Sequence, residues 1–340
     1  MPTSTLYPLS ILDLAPIAQG STPSESFQNT VQLAQQADKA HFNRYWLAEH
    51  HGMVGIASAA TSILIAHVAH HTQRIRVGAG GIMLPNHSPL VIAEQFGTLA
   101  SLFPNRIDLG VGRAPGSDQR TAQALRRNLQ SDPNEFPNDV LELLDYMSDT
   151  PQQTVPAVPG RGTNVPVWVL GSSLFGAQLA AMLGLPYAFA SHFAPAQMMD
   201  AIAVYKTHFK ASAYLDKPYV MLGFNVFAAE TDVQAHYLAS SWQQSFVSLR
   251  QGSPIQLPPP VANYIERSGP VGQAVMDHAL KCAAIGSLET ITAQTQAFID
   301  ATGADELMIT SNIYDPAARL RSYEILTQAH PHLRHAATTI

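Results

Sequence analysis

Cysteine is almost absent from this chain: Cys282 is the single thiol in 340 residues, which excludes an intrachain disulfide. Charge is also scarce. Asp, Glu, Lys and Arg make up 13% of the residues, and the 19 Lys and Arg form no run longer than Arg126-Arg127. With a net charge of −6, the chain lacks the electrostatic footprint that nucleic acid or an anionic membrane would require. The expected partner is therefore a small molecule. No apolar run approaches about 18 residues without a polar break, so no segment is long enough for a membrane-spanning helix. The opening MPTSTLYPLS has neither the charged nor the apolar stretch of a signal peptide, which makes the cytoplasm the expected compartment. Internal repeats, low-complexity tracts and a linker are missing too, and residues 1–340 are expected to form one domain.

What is present is enough apolar material for a large core, 46% of the residues, arranged in strand and helix signals that alternate along the chain. Strands are predicted over residues 9–14, 44–49, 75–80, 107–111, 165–170, 187–190, 219–228 and 307–310. Each is followed by a helical pattern. Several helix starts carry their own punctuation: Thr22-Pro23-Ser24-Glu25 is a capping box with Pro at the first helical position, Ser88-Pro89 repeats the Pro signal, and Thr231-Asp232 and Asp315-Pro316 supply caps. Helix two is expected over residues 58–71 and helix six over 195–212. Eight strand–helix units with right-handed crossovers close naturally into a (β/α)8 TIM barrel, with a doubly wound open sheet as the alternative. Insertions of about 50 residues after strand four and about 75 after strand seven depart from a minimal barrel, and long segments of this kind commonly carry function. Within the second, prolines in residues 251–260, QGSPIQLPPP, forbid helix and central strand, so an irregular cover over one end is expected.

A barrel enzyme places its site at the carboxyl ends of the strands, and those ends are polar here. Strand one delivers Asp13, strand two Glu49-His50-His51, strand three Met83 and the segment to His87, strand four Gly112-Arg113, strand five Gly171-Ser172-Ser173, and strand six Ser191-His192. Gly-Ser-Ser between a strand and a helix offers unpaired amides, two hydroxyls and the positive end of a helix dipole, which suits a phosphate; an ordinary Ser cap is the competing reading. Strands four and five are neighbours about 4.8 Å apart. Arg113 can therefore join that cradle, or else serve as an ion pair in the rim. Gly112, with Gly116 beyond it, is either a loop glycine or a place where a planar ring approaches the backbone.

Alternation along strand two puts Trp46, Ala48 and His50 on one face and Glu49 and His51 on the other, so one histidine of the pair faces the interior. His50 is either a proton donor and acceptor or a hydrated rim histidine. Neighbouring strand residues cannot both chelate one ion, and His67, His70 and His71 have metal-ligand spacing but no Cys or carboxylate nearby; no metal is expected. The run Gly78-Ala79-Gly80-Gly81 lacks the helix and acidic residue of a dinucleotide fingerprint. Its glycines are expected to make room for a ligand ring.

Four segments in order, WLAEHH, VGAGGIMLPNHSPLVIAEQFGTLASLFPNRIDLGVGRAPG, LGSSLFGAQLAAMLGLPYAFASH and GADELMI, resemble the luciferase-like flavin-dependent monooxygenases over residues 9–313. The resemblance implies a (β/α)8 barrel that receives reduced FMN from an NAD(P)H:flavin reductase and reacts it with O2, some relatives using a deazaflavin instead. It identifies His50 as the active-site histidine and expects a non-prolyl cis peptide at Gly80 or Gly81. The residues expected to hold the flavin are Gly80, Gly81, Gly112, Arg113, Gly171, Ser172 and Ser173; Asp13 and His192, by their position at the rim, and Met83 and Phe193 are expected on the substrate side, with Phe224 shaping the cavity. Pairing through helices two and three would make a homodimer. A flavin-binding protein without turnover is the other reading that the resemblance allows.

Overall fold

The computed structural model describes residues 6–114, 119–125 and 133–336. The first half of the chain runs β1 (Leu9–Asp13), α1 (Pro23–Lys39), β2 (Arg44–Leu47), α2 (Thr61–His71), β3 (Arg76–Met83), α3 (Pro89–Leu102), β4 (Ile107–Gly112), α4 (Gln119–Leu125) and α5 (Phe136–Met147). It continues with β5 (Val167–Gly171), α6 (Leu174–Leu183), β6 (Tyr187–Phe189), α7 (Met198–His208), β7 (Val220–Ala228), α8 (Asp232–Arg250), α9 (Tyr264–Arg267) and α10 (Gly269–Ala279). β8 (Ala283–Gly286), α11 (Leu288–Thr302), β9 (Glu306–Thr310) and α12 (Pro316–Ala329) complete it. No helix among the described residues is long and apolar enough to cross a membrane.

All strand pairs are parallel, and β1 through β7 followed by β9 close into a ring because β9 pairs with both β7 and β1. The structure is the expected (β/α)8 barrel. Its eighth barrel strand, however, is the ninth in sequence. β8 is an additional strand that the alternation did not reveal: Asn225 is in register with both Thr310 of β9 and Ala283 of β8. β8 must therefore lie on the other edge of β7, above the short β6, which pairs only with Val220, Met221 and Leu222.

Local chemistry explains the helix starts. Thr22 and Glu25 exchange bonds in a capping box at α1, and Thr231 and Asp315 accept from backbone amides of α8 and α12. The helical shell buries one large apolar cluster against the outside of the barrel. The barrel's inside is also full. At its amino end, Arg44 bridges Asp108 (2.8 Å) and Glu306 (3.1 Å), Arg76 joins Asp108, and Ser10 and Tyr219 donate to Glu306. Above this charged floor, Trp46 and Trp168 meet edge to face at 5.2 Å among Leu12, Ala188, Met221 and Met308. A ligand can enter only above them, at the carboxyl-end mouth. The irregular segment expected over that end is ordered: Leu257 bonds to Ile17 and Gln19 after β1, and Ile255 packs on Gly55 after β2.

Two residues expected to face the mouth face the helices instead. Asp13 is completely buried; Arg319 (2.9 Å), Thr30 (2.6 Å), Tyr45 and the Ala15 amide take up its carboxylate. Burial alone would raise this carboxyl, but Arg319 and the donated bonds outweigh it and hold it below its usual range. Asp13 thus ties β1 to α1, β2 and α12 and leaves no oxygen for a substrate. Phe224 likewise points outward and stacks on Phe298 of α11 at 4.4 Å. Arg319→Met, which strands a buried charge, should lower stability by about 3–5 kcal/mol in urea denaturation, and Asp13→Asn in that background should recover part of the loss. A loss under about 1 kcal/mol would show that the pair is not a main tie of the shell.

Candidate active site

The end of β2 is fixed by Glu49, whose side chain points away from the interior and is 1% exposed. Its Oε1 accepts from His51 Nε2 (2.7 Å) and His87 Nε2 (2.9 Å), and its Oε2 from the Met83 amide (2.9 Å). Burial would raise this carboxyl, yet the donors from His87, His51 and Met83 together keep it below its ordinary value. The loops after β2 and β3 are therefore clasped by one ionised carboxylate. His50, between Glu49 and His51, is half-buried and has the opposite strand phase, toward the mouth. His87, which completes this clasp, carried no sequence signal beyond its place in the LPNHSP loop.

β2 and β6 are four strands apart in the ring of eight, hence on opposite sides of the mouth, and His192 follows β6 with its imidazole against Gly223 of β7. Burial first, and the nearby charge of His50 second, lower the His192 pKa to about 4. The ring is neutral at pH 7, and its Nδ1 is buried without a hydrogen-bond partner among the described residues.

The Gly171-Ser172-Ser173 turn joins β5 to α6 as expected. Ser173 is the N-cap residue in extended conformation, and no side chain caps the amides behind it. Ser172 is exposed. Gly112 and Leu170 are in register on adjacent strands, which brings Arg113 to the same helix end: its guanidinium lies 4.1 Å over the ring of Phe175, in the first turn of α6. Phe175 is a member of this arrangement that sequence reasoning did not single out. Met83 packs beside Gly112, its sulfur 3.4 Å from where a Cβ would stand.

The glycines of β3 do something other than expected. The Gly80-Gly81 peptide is cis, but the space at Gly80 is taken by Leu12 and Trp46, and that at Gly78 by Trp46 and Asp108. Their missing side chains leave room for the indole. Gly81 faces the Gly110 carbonyl and Leu170. Phe193 turns toward the insertion, where Arg250 sits 4.8 Å over its ring and Phe246 packs edge-on; it borders the mouth from outside. Gly116 falls outside the described residues.

A parallel barrel with its histidines, serines and arginine gathered at the carboxyl-end mouth has the layout of a barrel enzyme. Comparison with known proteins narrows the class: the family model for luciferase-like monooxygenases matches residues 8–306, and the chain belongs to that family. It is 51% identical to a luciferase-like monooxygenase of Escherichia coli K12, over 95% of this chain and 97% of that one. Among solved structures, apo-MsnO8 superposes with a TM-score of 0.86 at 34% identity, covering 97% of this chain and 99% of that one. The oxygenating constituent of 3,6-diketocamphane monooxygenase from Pseudomonas putida, solved in complex with FMN, shares the fold with a TM-score of 0.74 at 18% identity, covering 97% and 99%.

The depressed His192 has a consequence for stability. As pH falls below about 6.5 the unfolded chain takes a proton that the folded ring refuses, so stability present above that pH is lost progressively down to about 4. Thermal denaturation should show the melting temperature falling over this window, and His192→Gln should make the fall shallower. Parallel profiles for the two proteins would contradict the burial-driven shift.

Proposed function

We propose that the protein is a flavin-dependent monooxygenase that uses reduced FMN and O2 on a small organic substrate, apolar or carbonyl-bearing. The observation that carries this reading is the α6 amino end. Its amides lack a side-chain cap, Ser172 and Ser173 stand at its start, and Arg113 is held against Phe175 beside it. A helix terminus, two hydroxyls and a guanidinium suit a phosphate dianion, and family membership makes a flavin phosphate the natural occupant. Gly81 and Gly112 would border the ring, and Met83, His192 and Phe193 the substrate side.

When bound, reduced FMN supplies the activation of O2. The chain's own part is to hold the phosphate, exclude water and manage a proton. The phosphate is gripped on the β4–β5 side, while His50 stands at the end of β2, where its imidazole can give or take a proton at the reacting end. The ordered 251–260 segment, tied to the loops after β1 and β2, keeps water from the mouth. Reduced FMN would come from a separate NAD(P)H:flavin reductase. A homodimer through α2 and α3 accords with Ile63 (69% exposed), Val91 (44%) and Leu102 (62%) standing open on those helices. Light scattering should give twice 36.7 kDa at micromolar concentration, and a monomer mass would contradict the dimer.

The test of function supplies FMN, NADPH, a flavin reductase and 18O2 with thioether, ketone and aldehyde panels. One labelled oxygen atom per product is expected, and His50→Ala should slow product formation by about 10² to 10⁴ with FMN affinity within twofold. No labelled product from any panel, with O2 consumed only at the protein-free rate, would leave a passive flavin carrier. Turnover with a deazaflavin and none with FMN would replace the cofactor assignment.

A further inference from the structure

β7 is buried along its whole length, yet a side-chain-free notch interrupts it at Gly223. A Cβ there would stand 2.0 Å from His192 Nδ1 and 3.0 Å from its Cε1 and Cγ, so the imidazole occupies the volume that any other residue would fill. The main chain that carries the ring is stapled to the same strand. Ser191 Oγ donates to the Gly223 carbonyl (2.6 Å), and Asn225 Nδ2 donates to the His192 carbonyl (3.0 Å) while also bonding the Cys282 carbonyl (3.3 Å). This is a seat for one ring in one position, and a structural histidine would not normally leave a buried nitrogen unbonded there.

We propose that Gly223 and His192 act as one unit: the notch in β7 holds a second imidazole at the wall opposite His50 and leaves His50 as the histidine of the mouth that takes up a proton. His192 is thus a positioning residue, acting through His50. The inference rests on the mouth being the reactive site, but the partition of the proton belongs to the apo protein. A protein that handles one proton at its active site gains from a neighbour that shapes the mouth without competing for that proton. The groups facing His192 support this order. β7 presents Gly223 and Asn225, both uncharged. The segment before β8 presents Cys282, whose thiol burial pushes up to about 12, hence neutral. α8 holds Arg250 against the neighbouring Phe193, whose carbonyl accepts from it at 3.4 Å, and β2 presents His50. The charge of a protonated His50 opposes a proton on His192.

Imidazole NMR of the purified apo protein from pH 4 to 9, with His50→Gln and His192→Gln used to assign the two rings, tests the unit directly. In the wild type His50 should titrate first as pH falls, with His192 neutral through pH 5. The two substitutions should act unequally. His50→Gln removes the opposing charge and should raise the His192 midpoint by about 0.5 unit or more, whereas His192→Gln removes a neutral neighbour and should shift His50 by less than about 0.2 unit. Gly223→Ala should expel the ring and raise His192 by about one unit or more toward 6.5. If that variant does not fold, the reciprocal pair decides alone. His192 titrating at or above His50, or equal shifts in the two Gln variants, would overturn the proposal. FMN binding, measured separately, bears on the cofactor and leaves this result untouched.

Discussion

The filled interior of the barrel is the constraint on which the rest depends. Eight parallel strands leave a narrow channel, and here Arg44, Arg76, Asp108 and Glu306 close its amino end while Trp46 and Trp168 occupy its middle. Gly78 and Gly80 of β3 leave room for Trp46, since a Cβ at Gly78 would meet its Nε1 at 2.9 Å and one at Gly80 its ring at 3.1 Å. With the channel plugged, binding and chemistry are confined to the rim, where strand phase alone decides which residues take part. His50 has the inward phase and Glu49 the outward one. The outward residue is then free to clasp the β2 and β3 loops through His51, His87 and the Met83 amide.

What was legible in the sequence was what local chemistry writes there. Thr22-Pro23, Thr231-Asp232 and Asp315-Pro316 cap helices through neighbours three residues away, and apolar alternation marks the strands. β8 escaped because AAIG, three small residues and one Ile, is too short to show a period; it is a strand because the carboxyl half of β7 offers a free edge above β6. Asp13 was misplaced for a related reason. Its position at the carboxyl end of a strand suggested the rim, but its partner Arg319 lies 306 residues along the chain, and nothing local shows that an outward-facing carboxylate would find it. Gly223 reads as a strand glycine until His192, from the turn after β6, is seen in its place.

The mouth therefore divides into two working sides that the sequence hinted at separately and the ring brings together. On the β4–β5 side, the α6 amino end and Arg113 form a site of positive potential; His50 stands after β2 and His192 after β6, on opposite sides of the mouth above an apolar plug. A cofactor with a phosphate at one end and a reactive ring at the other would span them, which is why FMN is the occupant proposed. The most direct measurement is calorimetric titration of FMN and of riboflavin into the wild-type protein and into the Ser172→Ala, Ser173→Ala double variant. The account expects FMN to bind more tightly than riboflavin, and the double substitution to weaken FMN by about tenfold or more, roughly the worth of a charge-assisted hydrogen bond, with riboflavin unchanged. Equal affinities in the wild type, or equal losses for both ligands in the variant, would contradict it.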